Sequence, residues 1–342
     1  MTLYLDMLPN WPLPLLLTFI GLLIVVLGKG ADLLVDEAVG LAARWHVPPL
    51  LIGATVVSLG TTLPEAAVSV VAAMKGKPEI ALGNAVGSVI CDTGLILGVA
   101  TLMSPLPLKR RIVNRQGWVQ FAAGCLLIVS CIPFFSLHEM TTMGGMLPRF
   151  MGVFFLMLLV MYLWFSIRWT QTEPVAKDRA TEAPDETSTG LRCLLKLMLS
   201  IGLVVAASHL LIPVVSTTAL RLSIPQGIVS ATLVAFGTSL PELVTAITAV
   251  RKQHGDLAVG NVIGADILNV LFVAGASASV TNPGLLAPPH FFTVLFPAMF
   301  FVLAVFRVAI MFSGAQLKRS FGVILLGTYV VTTYVSYAHI ML

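Results

Sequence analysis

Ten apolar windows run along the chain, near residues 12 to 28, 48 to 74, 80 to 103, 117 to 134, 147 to 168, 191 to 219, 225 to 250, 257 to 280, 290 to 313 and 320 to 340. A helix needs about 20 mostly apolar residues to cross a hydrocarbon layer, and nearly all of the windows approach or exceed that length. The pattern predicts an all-α integral membrane protein with ten transmembrane helices. Between the fifth and sixth windows lies one long polar stretch, "TQTEPVAKDRATEAPDETSTG". It has mixed charge and no hydrophobic period, so it reads as a flexible linker; it is too short for a folded regulatory domain and lacks the Asp/Gly spacing of an EF-hand loop.

Composition agrees with the windows. The 342 residues are 57% hydrophobic and only 11% charged, with a mean hydropathy of +0.96, far from a soluble domain with about 25% charged residues. The first ten residues, "MTLYLDMLPN", hold no Lys or Arg, so the segment after them lacks the basic start of a cleaved signal peptide and reads as a retained first helix. Cys91, Cys125, Cys131 and Cys193 lie in or beside apolar windows without a CxxC spacing, which suits packing rather than disulfides or a thiolate metal site.

The formal net charge of +4 matters less than where the basic residues fall. With the N-terminus outside and ten spans following, inside segments collect about 16 Lys and Arg against about four outside. That asymmetry predicts a multi-pass inner-membrane protein with both termini outside. It also accounts for the basic residues without a nucleic-acid partner; the lipid bilayer is the expected surrounding.

The chain repeats itself. Residues 44–98 align without a gap on residues 221–275 at a constant offset of 177, which carries Glu65 onto Glu242. About a third of these positions are identical, among them Arg44/Arg221, Pro48/Pro225, Gly60/Gly237, Pro64/Pro241, Asn84/Asn261 and Gly98/Gly275. Five spans per half is an odd number, so the second half enters the membrane the opposite way round. The predicted architecture is two inverted five-helix repeats, residues 1–168 and 191–342, joined by an inside linker over 169–190. Such repeats place a substrate site near the midplane at their interface.

Within each repeat, one stretch brings a carboxylate into an apolar run: "SLGTTLPE" ending at Glu65 and "AFGTSLPE" ending at Glu242. A carboxylate at membrane depth is costly and marks an ion pathway by default. Glycine permits irregular backbone and Pro64 cannot donate to the carbonyl of Gly60, so helices 2 and 7 are expected to break here. Freed carbonyls near Ser58 to Thr61 would add hard oxygen ligands. Symmetry should bring Glu65 and Glu242 together, where they repel unless a cation lies between them. The following helices read "GNAVGSVICDTG" and "GNVIGADILNVL", placing Ser88 with Asp92, and Ala265 with Asn269, four apart on one helical face.

Two GTSLPE-like motifs, each followed by GNxxG at the same distance, resemble the alpha repeats of the cation/calcium exchanger superfamily, most closely its sodium/calcium exchangers with a short central loop, a prokaryotic type. The resemblance implies that Glu65 and Glu242, with the carbonyls of Thr61 and Thr238, bind Ca²⁺. It implies overlapping Na⁺ sites that use the same glutamates, the hydroxyls of Thr62, Ser88 and Ser239, the carbonyls of Ser58 and Ala235, and polar groups at Asp92 and Asn269. Ca²⁺ and Na⁺ are then transported ions, with no prosthetic group, and the chain is expected to work as a monomer. There are three departures from the family pattern. Asp92 and Asn269 exchange the usual acid and amide, Ala265 stands where Ser88 predicts a hydroxyl, and Asp266 replaces an Asn. Asp266 is either a helix-interface hydrogen bonder or an added cation ligand.

Some polar residues read more simply. His209 suits packing in the sixth span, and Lys29, Asp32, Asp36 and Glu37 suit the interfacial end of a long first helix. The function expected is antiport of Na⁺ against Ca²⁺ by alternating access, with H⁺/Ca²⁺ antiport through the same carboxylates as the alternative. A channel would share the oxygen-lined path without requiring ordered inverted repeats. No HExxH, and no GxGxxG after a strand, supports an enzyme.

Overall fold

The computed structural model describes Leu8 and residues 11–133, 140–170, 190–222 and 238–341. Within them the helices are α1 (Leu13–Arg44), α2 (Pro49–Met74), α3 (Pro78–Met103), α4 (Arg110–Cys131), α5 (Arg149–Thr170), α6 (Gly190–Arg221), α7 (Leu240–Arg251), α8 (Gly255–Ser279), α9 (Phe291–Phe312) and α10 (Arg319–Met341). Four short strands sit between them: β1 (Leu106–Pro107), β2 (Gly145–Pro148), β3 (Gly284–Ala287) and β4 (Gln316–Leu317). Seven of the described helices are long and apolar enough to cross a membrane. Of the other three, α7 is described over 12 residues, while α4 and α10 have 22 and 23 residues, about 33 Å at 1.5 Å each. α4 carries its polar groups inward: Gln116 and Gln120 are buried, and Gln116 Nε2 donates to Ser166 Oγ of α5 at 3.2 Å. That is an integral membrane helical protein, with polar side chains turned away from lipid.

Burial separates core helices from peripheral ones. In the most apolar stretch of α8, 94% of residues are buried, and in α3 78%, against 22% in α1. A helix buried all round needs no amphipathic pattern, which is why α8 reads as uniformly apolar with small residues. α1 and α6, each of 32 residues, lie against one another on the outside. The charged end expected of the first helix is present: Lys252 Nζ donates to the Asp36 carboxylate at 2.8 Å and to the Asp32 carbonyl at 2.9 Å, and Lys196 pairs with Glu37 at 3.3 Å. All four cysteines are free, and all but the half-buried Cys125 are buried.

The connections cross over. β1, after α3, pairs antiparallel with β4, before α10; β2, before α5, pairs antiparallel with β3, after α8. Helix contacts follow the same rule. A Cβ at Gly98 of α3 would meet Leu326 N of α10 at 3.1 Å, and one at its repeat counterpart Gly275 of α8 would meet Phe155 Cβ of α5 at 3.0 Å. Small residues let these helix backbones close up where lipid supplies no hydrophobic drive.

The break expected in helix 2 is absent from "GTTLPE". α2 is α-helical from Ser58 through Pro64 to Met74, and its irregularity is a π turn over Gly53–Val57, one turn earlier. Pro64 is carried inside the continuing helix, seven residues past the end of the π turn, without a break. Only Gly60 loses its regular helical donor. In the second repeat, α7 begins at Leu240 with Pro241 in its first turn, directly after bends at Thr238 and Ser239; the preceding part of that window lies outside the described residues. Pro64→Ala should restore one helical hydrogen bond and raise stability by up to about 3 kcal/mol. Thermal unfolding in detergent checks this, and a lowered melting temperature would show that α2 depends on the proline.

Candidate ion-binding site

The site is built at wide turns and helix starts. α3 and α8 each contain a π turn, Cys91–Ile96 and Asn269–Ala274, at positions the repeat offset matches to within one residue. Asp92 lies in the first and Asn269 begins the second, and Asn269 Nδ2 donates to Asp92 Oδ2 at 3.3 Å. Two residues related by the repeat offset therefore touch. Such π turns frequently sit at functional sites because the extra residue re-aims side chains.

The two glutamates lie beside this pair. Glu65 is 1% exposed on α2 and Glu242 2% exposed in the first turn of α7, where the helix N-terminus favours a negative charge. Glu65 lies within electrostatic reach of Glu242 and Asp92. Hydroxyls cross between the halves: Thr61 Oγ1 faces the Glu242 carboxylate, and Ser239 Oγ approaches Asp92. Both oxygens of Glu65, Oε2 of Glu242, Oδ1 of Asp92, Oδ1 of Asn269 and Oγ1 of Thr62 are buried without a hydrogen-bond partner. Buried acceptors in that state are rare in proteins and are expensive unless something else satisfies them. Every one is a hard oxygen, the donor type that suits Na⁺ or Ca²⁺. Among the described residues, no three His, Cys, Asp or Glu side chains form a metal cluster, so an ion here would draw on hydroxyl, amide and carbonyl oxygens beside the glutamates.

The remaining expected residues fall in differing places. Ser58, Thr61 and Thr62 are fully buried on α2 and Ser88 is buried on α3, one turn before Asp92. Thr61 Oγ1 also donates to the Ser58 carbonyl at 3.3 Å. Ser58 Oγ is directed to the Thr55 carbonyl at 3.4 Å. Thr238 donates to Asn84 Oδ1 at 3.3 Å, and Asn84 Nδ2 donates to Ser69 Oγ at 3.0 Å. Ala235 lies outside the described residues. Asn84 stands in the repeated GNxxG but is not among the expected site residues; its counterpart Asn261 is buried with both amide atoms unpartnered, Nδ2 because position 246 is Ala where the first repeat has Ser69, and Oδ1 while Thr61, the counterpart of Thr238, donates to the Ser58 carbonyl. Asp266 resolves toward the hydrogen-bonding alternative: its Oδ2 accepts from Thr93 Oγ1 of α3 and Gln120 Nε2 of α4.

Buried acid oxygens without partners, set among helices long and apolar enough to span a membrane, are the mark of a cation transporter. The chain belongs to the sodium/calcium exchanger family, whose model, described as sodium/calcium exchanger protein, matches residues 15–168 and 193–338. It is a cation/calcium antiporter. Inner membrane protein YrbG of Escherichia coli strain K12 is 34% identical over 92% of this chain and 94% of its own length. Sodium/calcium exchanger MaX1 of Methanosarcina acetivorans is 29% identical over 92% of this chain and 96% of its own. The fold is shared with a solved structure of the sodium-calcium exchanger NCX_Mj soaked with 10 mM Na⁺ and zero Ca²⁺, with a TM-score of 0.77 and 24% identity over 94% of this chain and 98% of that one.

Proposed function

We propose that the chain exchanges Na⁺ for Ca²⁺ across the inner membrane by alternating access between two inverted five-helix repeats, residues 1–168 and 191–342, with the linker 169–190 inside and both termini outside. The observation that carries the reading is the buried pair Glu65 and Glu242, whose oxygens include three with no hydrogen-bond partner. Glu65 and Glu242 bind Ca²⁺, assisted by Thr61 and Thr238; Na⁺ uses the same glutamates with Thr62, Ser88, Ser239, Asp92, Asn269, Ser58 and Ala235. Shared ligands make the two loads mutually exclusive, and if only loaded states cross, exchange is obligatory. The contact between Asp92 and Asn269 and the crossed strand pairs support the repeat symmetry. The similarity to the sodium/calcium exchanger MaX1 supports sodium as the partner ion.

A pocket of two or three negative charges suits one Ca²⁺ or about three Na⁺, and the net charge moved couples the cycle to membrane potential at about 2.3 kcal/mol per 100 mV. Proton/calcium antiport is the second reading, favoured by Ala265, which removes one hydroxyl ligand expected for sodium. Radioactive calcium uptake into proteoliposomes loaded with Na⁺, compared with sodium-free vesicles under an imposed pH gradient, decides between them. Uptake driven by outward sodium alone is expected. Uptake driven by the proton gradient alone would transfer the assignment to the second reading.

A further inference from the structure

The two halves carry the same residues in different bonds. Thr238 Oγ1 of the second repeat donates to Asn84 Oδ1 of the first at 3.3 Å, and Asn84 Nδ2 donates on to Ser69 Oγ at 3.0 Å. At the offset of 177 the counterpart of this bridge would run from Thr61 to Asn261, and it is not made. Thr61 Oγ1 donates instead to the Ser58 carbonyl at 3.3 Å and faces the Glu242 carboxylate. Asn261 is fully buried, and neither of its amide atoms has a hydrogen-bond partner among the described residues. The glutamates show the converse. Glu242 has the Thr61 hydroxyl before it and one unpartnered oxygen, whereas Glu65, whose counterpart hydroxyl belongs to Thr238, has two.

Each threonine therefore has two acceptors in the opposite repeat, an asparagine and a glutamate, and the two threonines have chosen differently. The unpartnered groups, Asn261 Oδ1 and the Glu65 carboxylate, are those the threonines would meet if they exchanged choices. Buried polar atoms left in this way are expensive, and a second arrangement that pairs them accounts for their presence. Inverted repeats supply that arrangement. A half-turn about an axis in the membrane plane exchanges the two halves and also the two sides of the membrane. A molecule in which each half adopts the other's bonds therefore opens to the other side.

We propose that Asn84 and Asn261 are positioning residues for alternating access, each holding the threonine of the opposite repeat away from its glutamate in one facing and releasing it in the other. The proposal rests on the reading of this chain as an alternating-access antiporter with Glu65 and Glu242 as its ion ligands. In the facing described here Asn84 holds Thr238 and Thr61 serves Glu242; in the opposite facing Asn261 holds Thr61 and Thr238 serves Glu65. The two asparagines are not equally supported, because Ser69 anchors Asn84 while its counterpart Ala246 offers Asn261 no acceptor. The facing described here is the better held of the two.

The test is calcium–calcium exchange by the full-length chain in proteoliposomes of uniform orientation, read with radioactive Ca²⁺ as the apparent KM at each face. Apparent affinity at a face scales with the fraction of molecules open to it, so the ratio of the two KM values reports the facing. Asn84→Ala removes the bond that holds the facing described here and should move the ratio about fivefold, equivalent to about 1 kcal/mol. Asn261→Ala should move it about as far in the opposite direction, and the double variant should lie near the unsubstituted ratio. An asparagine with a purely structural role would slow exchange without driving the two KM values apart. If Asn84→Ala does not fold, Ala246→Ser, which gives Asn261 the acceptor that Ser69 gives Asn84, is expected to shift the ratio in the Asn84→Ala direction. Shifts in the same direction for both asparagines, or an unmoved ratio in folded variants, overturn the proposal and leave the antiport reading standing. Absence of calcium exchange by the unsubstituted chain overturns the antiport reading and this proposal with it.

Discussion

Glu65→Gln and Glu242→Gln each lower calcium transport by about 100-fold or more in protein that still elutes as a single species from gel filtration. Both substitutions keep shape and volume and remove one negative charge from a site where neither glutamate meets a basic side chain. On the proposed mechanism each glutamate is paired with the bound cation, and removing one partner of a buried, desolvated pair of opposite charges costs about 3 to 5 kcal/mol, where about 1.4 kcal/mol is a factor of ten. The loss should be similar for the two variants, since Glu65 and Glu242 are equivalent at the offset of 177 and similarly buried. Calcium flux in proteoliposomes measures it. Normal flux in both folded variants would sink the proposed mechanism, and a large loss in only one would mean that the symmetry of the motif is not a symmetry of binding.

Gly264→Val is expected to destabilise the protein by about 3 kcal/mol, the upper part of the range for overpacking. A Cβ at Gly264 would stand 2.5 Å from both the Ala54 carbonyl oxygen and Ser58 Oγ, and 2.6 Å from Ala54 Cα. Two of these three atoms are backbone, so no side chain can swing aside to make room. One turn earlier, a Cβ at Gly260 would collide with the Leu50 carbonyl. Together the two glycines of GNxxG let α8 lie directly on the π turn of α2 and hold Ser58 and the rest of that helix in place. Thermal unfolding of purified protein reads the effect; a melting temperature within a degree or two of the unsubstituted chain would show that the helices do not approach this closely.

Much of this architecture is legible in the sequence because membrane helices follow a strict rule of length and hydropathy, and because a doubled motif locates its own counterpart. Seven of the ten windows begin and end within two residues of helices described here; α4 starts at Arg110, seven residues before the fourth window, the start of the seventh lies outside the described residues, and the first ends early. The window closes at residue 28 because Lys29, Asp32, Asp36 and Glu37 depress hydropathy, yet α1 continues to Arg44. The three acids among them find partners on Lys252 and Lys196, contacts between distant segments that no local pattern records. Gly60 and Pro64 were a local argument for a break, and tertiary packing relocated the irregularity to Gly53–Val57, whose residues carry no π-turn signature. The glutamates announce themselves as charges in apolar runs. Gln120 gives the same kind of signal more weakly, as a polar amide within an apolar window, but its partner Asp266 is 146 residues away and could only be assigned from the fold.

The crossed strand pairs carry a consequence for how the chain comes to exist. β1 and β2 are made early, while their partners Gln316–Leu317 and Gly284–Ala287 follow near the end of synthesis. Until the later segments are made, β1 and β2 lack their partners, and the sides of α3 and α5 that pack on α10 and α8 are uncovered. Contacts this distant in sequence form late and slowly. The first half is a template rather than a finished module, and maturation ends in a mutual clasp that neither half can close alone.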